Sequence, residues 1–203
     1  MPRRQDVLLF FLLLVFLAAD PTLSAQEPYF PEGSLSDNPG SDLFRSDWYS
    51  KHLKALQEPS LLQLAKNPSL ESYRFVWLRT FHHPIIVRLD FASNGTAKLT
   101  TKVSSGAGGY DPGHIVENKS RPVTREETEK FLARVKLEQF WELPSHETPM
   151  TIGCDGSQWI IEGVKDGKYH VIDRWSPGKG PVRHLGLLFV KLSRMRIWRD
   201  ELY

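Results

Sequence analysis

The chain has 203 residues, with 26 Lys and Arg against 24 Asp and Glu and a formal net charge of +2. So small a surplus leaves no electrostatic footprint for nucleic acid, and the length suits one domain with a real core plus flanking segments. The single cysteine, Cys154, excludes an intrachain disulfide, so stability must come from packing.

Residues 1–25 read as a signal peptide. Arg3 and Arg4 precede an unbroken apolar block from Val7 to Ala19, and Thr22-Leu23-Ser24-Ala25 supplies small residues before a cleavage point. The block falls short of the ~17–25 apolar residues that a bilayer-spanning helix needs, so the membrane is expected to be met only during export. Residues 26–45, rich in Pro, Gly, Ser, Asp and Asn, read as a flexible tail. Residues 46–70 read as a short helical lead-in, with one helix opening at Ser46-Asp47 and another capped by Ser60 and stopped at Asn67-Pro68.

Residues 71–199 carry the patterns of an α+β domain. Tyr73, Phe75 and Trp77 alternate with Arg74, Val76 and Leu78, and Ile85, Val87, Leu89 and Phe91 form a second period-2 set. Asn94-Gly95 marks a hairpin. Only a three-residue loop, Ser93 to Gly95, brings Leu89 opposite Leu99 and keeps both apolar faces together, with Gly95 at positive φ. Residues 104–120 read as a Gly-rich polar loop. Thr124 and Glu127 form a capping box before a helix with Phe131, Leu132 and Val135 on its buried side. Asp166-Gly167 turns a second hairpin and opposes Trp159 with Arg174, Ile161 with Ile172, and Gly163 with His170. A last helix, roughly Val182 to Ile197, carries Leu185, Leu188, Phe189, Leu192 and Met195 on one face. The expected fold is therefore a two-layer α+β sandwich: a mainly antiparallel five-stranded sheet, ordered β-β-β-α-β-β-α, with two helices on one face.

The second hairpin presents two different faces. Trp159, Ile161 and Ile172 carry no acid among them and are expected to meet the helices. Gln158, Ile160, Glu162, Val164, Tyr169, Val171, Asp173 and Trp175 read as a half-wet or ligand-binding face. Trp159 and Arg174 are expected to stack, guanidinium over indole, as a structural pair.

No motif assigns a catalytic, cofactor-binding or metal-binding residue, and no cofactor is expected. The seven histidines lack metal-ligand spacing, and neither Gly-rich stretch ends as a phosphate loop does. A hydrolase reading would draw on Asp111 and His114 in the 104–120 loop, and on His146, Cys154 and Asp155 in the 145–157 loop.

Asp155 to Pro177, followed by Gly186 to Ser193, resembles a stretch found in uncharacterised exported bacterial proteins. The resemblance spans residues 153–195 and implies a bacterial host and export to the periplasm or beyond. No activity is attached to that group. The expected function is a non-enzymatic envelope domain binding a protein or a cell-wall component, without nucleic acid. The alternatives are the envelope hydrolase and a structural accessory protein.

Overall fold

The structure, a computed structural model, describes residues 27–148, 153 and 155–203; the expected leader and Cys154 lie outside the described residues. Its strands are β1 (Glu71–Arg79), β2 (Ile85–Phe91), β3 (Ala97–Ser104), β4 (Ile115–Val123), β5 (Ser157–Lys165) and β6 (Lys168–Trp175). They form one antiparallel sheet in the order β4-β3-β2-β1-β5-β6. The sheet has six strands where five were expected, because β4 lies partly in the region read as a loop. An edge strand is stabilised by backbone pairing and needs no apolar alternation. Pro122 and a run of exposed polar residues along β4 also block pairing with another chain.

Both hairpins follow the buried face. Leu89 faces Leu99, Asp90 faces Lys98 and Ile85 faces Val103. The Ala92 N–H donates to the Thr96 carbonyl at 2.8 Å, which leaves Ser93–Gly95 as the loop, with Gly95 at φ 79°. An alanine there would pay a steric cost that glycine avoids. Gly95→Ala is therefore expected to lower stability by about 1 kcal/mol in a urea titration, and an unchanged midpoint would contradict this account of the loop. At the second hairpin, Asp166 and Gly167 both take positive φ, as a two-residue primed turn requires, and Trp159 opposes Arg174. The space over Gly163 is taken by Phe140, and His170 packs edge-on against that ring at 5.1 Å.

Helices α3 (Arg125–Leu137) and α4 (Pro181–Ser193) cover one sheet face. The expected capping box opens α3: the Glu127 N–H donates to Thr124 Oγ1 at 3.2 Å, and the Thr124 N–H donates to the Glu127 carboxylate at 3.0 Å. Phe131, Val135, Leu185, Phe189 and Leu192 pack on Tyr73, Phe75, Trp77, Val87, Trp159 and Ile161.

The opposite face is also covered, so the architecture has three layers rather than two. Helix α1 (Pro39–Ala55) begins seven residues before the expected start, and the short α2 (Leu61–Leu64) follows with Ser60 as its cap. Asn38 caps α1 and Pro39 occupies its first turn, a pairing with fixed physical logic. Among the described residues, the expected tail is tied down. The Asp42 carboxylate accepts from the N–H groups of Gly33, Leu35 and Ser36 at 2.8–3.2 Å. Phe30 and Leu35 then join Tyr49, Leu53 and Leu56 against Val76, Leu78, Ile86, Ile160 and Val171. The face expected to be wet or ligand-binding is thus buried beneath this layer.

Its polar groups are matched from above. Arg74, with no exposed side-chain surface, forks onto Glu162 at 2.7 and 2.8 Å and donates to the Pro59 carbonyl at 2.7 Å. Glu58, in the turn after α1, meets Arg74 at 3.4 Å, Arg88 at 2.9 Å and Lys102 at 2.7 Å. Asp173 accepts from Tyr49 at 2.8 Å and from Arg45 and Gln158 at 2.5 Å.

Candidate functional site

The described residues of the hydrolase reading do not converge. Asp111 is exposed, 3.2 Å from Lys51, and accepts from the Gly113 N–H, which with Lys51 lowers its pKa. His114 Nδ1 lies 3.1 Å from Ser105 Oγ. His146 sits elsewhere, with Nε2 3.0 Å from Asp37 and Nδ1 bonded to the Ser34 carbonyl. Asp37 precedes α1 and Lys51 lies near its far end, so the two groups stand about 20 Å apart along the helix at 1.5 Å per residue. Asp155 is exposed. Among the described residues no group of three or more His, Cys, Asp or Glu is arranged to hold a metal ion.

The Trp159–Arg174 pair has the expected register but not the expected contact. Arg174 turns to the irregular segment beside β6, where it donates to the carbonyls of Pro144 at 2.6 Å and Ser145 at 3.2 Å and meets Glu147 at 3.4 Å. These carbonyls satisfy a guanidinium better than one ring face does. The cation over Trp159 is Arg183 of α4, 4.8 Å from the ring centroid. Helix α4 approaches this closely because residue 186 is glycine: a Cβ there would lie 2.3 Å from the indole.

Trp159 belongs to a more specific arrangement. Alternation places Trp77 and Arg79 on one face at the end of β1, and Ser157 and Trp159 on the same face at the start of β5. The register sets Trp77 beside Trp159 and Arg79 beside Ser157. All four are buried, and the two indoles lie 5.3 Å apart. Beyond α4, Arg194 adopts the left-handed conformation and ends the helix. The chain then retraces α4 through a 3₁₀ turn, Arg199–Glu201, and sets Tyr203 at the end of the sheet.

Three donors meet the Tyr203 carbonyl oxygen there: Trp159 Nε1 at 3.0 Å, Trp77 Nε1 at 3.3 Å and the Ser157 hydroxyl. The segment makes three further polar contacts. Arg79 binds Glu201 at 2.7 Å while lying 4.4 Å over Trp77, Arg183 donates to the Leu202 carbonyl at 2.9 Å, and the Tyr203 hydroxyl lies 2.6 Å from His82 Nδ1. Burial lowers the pKa of Arg79, while Glu201 raises it in part. Arg79 Nε is buried without a hydrogen-bond partner among the described residues. This cleft is built to hold acceptor oxygens. Ser157 accepts from Trp159 Nε1 at 2.7 Å and donates to a carbonyl, and neither partner is a base able to activate its hydroxyl.

Sequence reasoning missed these residues. Their signal was the symmetry of Trp77-Leu78-Arg79 and Ser157-Gln158-Trp159, which alternation and antiparallel pairing bring together. A surface feature lies around Trp48, beside the loop whose Gly108 and Gly109 N–H groups bond to Arg79 and Thr80. A hollow of about 370 Å³ is lined by Phe44, Asp47, Trp48, Lys51, Gly109 and Tyr110.

No protein-family model and no curated protein matches this chain.

Proposed function

We propose that this chain is an exported, non-enzymatic binding domain of a bacterial envelope. Its partner is a protein, gripped through a short turn-forming segment in the cleft that residues 201–203 fill. One observation carries the reading: two buried indole N–H groups and a buried hydroxyl converge on a single carbonyl oxygen, with Arg79 and Arg183 beside it. Buried donors of this kind are costly to leave unpaired, so the cleft demands an acceptor. Indole and guanidinium groups are also the side chains that most often dominate protein interfaces. Export rests on the leader pattern and on the resemblance of residues 153–195 to exported bacterial proteins.

The test uses the full chain with its own segment loosened by the double substitution Glu201→Ala/Tyr203→Ala. The hexapeptide Trp-Arg-Asp-Glu-Leu-Tyr is titrated against it by calorimetry. Saturable binding at one site is expected, weakened about tenfold by adding Ser157→Ala, which removes one hydrogen bond worth about 1–1.5 kcal/mol. Absence of saturable binding would overturn the reading.

A further inference from the structure

We infer that residues 198–203 are an intramolecular pseudo-ligand: they hold the cleft shut, and their contacts spell out the partner segment that it selects, an acidic residue followed two positions later by tyrosine. The inference rests on the binding function proposed above and adds its regulation and its specificity.

The argument starts from which contacts belong to side chains. The donors that meet the Tyr203 and Leu202 carbonyls read backbone, so any segment that takes the same turn could satisfy them. Two further contacts read sequence. Arg79 presents its guanidinium to the Glu201 carboxylate at 2.7 Å from a position almost wholly withdrawn from solvent. His82 meets the Tyr203 hydroxyl at 2.6 Å, and its ring lies edge-on to the phenol with centroids 5.6 Å apart. A segment lacking the acid would leave a buried guanidinium facing no charge, and such an uncompensated group penalises the wrong ligand more than the right one is rewarded. The spacing Glu201-Leu202-Tyr203 is therefore the selectivity pattern.

The occupant is poised to leave. Glu201, Leu202 and Tyr203 are only partly buried, whereas Trp77, Ser157 and Trp159 beneath them are fully buried. The preceding residues Trp198, Arg199 and Asp200 are exposed, so the segment is held mainly by its last three residues. A tethered occupant acts at an effective concentration on the order of millimolar. An external segment then binds with its intrinsic affinity reduced by the fraction of molecules whose cleft is open.

The experiment compares the unmodified full chain with the Glu201→Ala/Tyr203→Ala chain, using the same hexapeptide in free-acid and amide forms. The opened chain is expected to bind at least tenfold more tightly than the unmodified one. Replacing the peptide's glutamate by alanine is expected to cost tenfold or more, and replacing its tyrosine by phenylalanine a few-fold. Tyr203→Phe, a milder change that keeps the ring, should give an intermediate affinity, and melting curves check that each chain is folded. Equal affinity for the unmodified and opened chains would overturn the latch and leave the binding site standing. Binding indifferent to the glutamate would overturn the selectivity. Failure of the opened, folded chain to bind any form would remove the binding function itself. Equal binding of acid and amide would identify a backbone carbonyl as sufficient, and preference for the acid would identify a terminal carboxylate as the better occupant.

Discussion

Arg74→Ala is expected to destabilise the protein by about 3–5 kcal/mol, the range for removing one partner of a buried ion pair. The side chain is fully buried and bonds to Glu162, Glu58 and the Pro59 carbonyl. Its loss leaves Glu162 with the Tyr169 hydroxyl, 2.9 Å away, in a site closed to water. Glu58 fares better, because Arg88 and Lys102 remain. The double substitution Arg74→Met/Glu162→Leu should recover much of the loss, since it removes both desolvation penalties rather than one. Urea titrations of the three chains measure this, with the slope of the transition reporting whether the folded state stays intact. A loss below 1 kcal/mol for Arg74→Ala would show that the seam does not anchor the α1 layer. Against a typical domain stability of 5–15 kcal/mol, the expected effect is large enough to unfold the chain at moderate temperature.

That seam also explains which parts of the fold were legible in the sequence. Where one sheet face is apolar, a slip of one residue would expose the whole set, so Leu89 and Leu99 could be paired from pattern alone. The same logic located Asp166-Gly167 and both faces of the second hairpin. It failed on the polar face, because Glu162, Gln158 and Asp173 looked like groups that need water. They are buried because Arg74, Tyr49 and Arg45 reach them from neighbouring elements far away in sequence. Pairing at such separation has no local signature.

The first layer was hidden for a different reason. Residues 26–45 have the composition of a chain that cannot bury itself, and few side chains anchor the part that is described: Phe30, Leu35 and the carboxylate of Asp42. Asn38 and Pro39 together form a helix-start signal, which a reading from composition alone passes over. For the cleft, the pattern put Trp159 on the face that meets the helices, but it revealed neither Trp77 as its neighbour nor the cation above it. Register placed Arg174 opposite, whereas α4 delivered Arg183 through the close approach at Gly186. Register assigns neighbours within a sheet; it carries no information about what packs above it.

His52 is expected to make the folded protein lose stability as the pH falls from 7 to 4. This residue is fully buried in α1, and its Nε2 shares the Trp48 indole N–H, at 3.1 Å, with the Gly108 carbonyl oxygen, also at 3.1 Å; a bond to Nε2 requires the neutral ring. Burial, helped by the neighbouring Lys51, depresses its pKa from 6.5 to about 4, with Asp111 opposing in part. Between those two values the unfolded chain binds a proton that the folded chain refuses. Stability is therefore complete above pH 6.5 and is lost as the pH falls toward 4. At about 1.4 kcal/mol for each pH unit of the gap, the loss over that range is about 3 kcal/mol. His52→Gln keeps an acceptor for the Trp48 N–H and removes the titration. Urea titrations at a series of pH values should show the unmodified chain losing about 3 kcal/mol more than this variant between pH 7 and 4. Parallel pH profiles for the two chains would mean that His52 takes up its proton in the folded chain at the same pH as in the unfolded chain, and that burial does not hold it neutral.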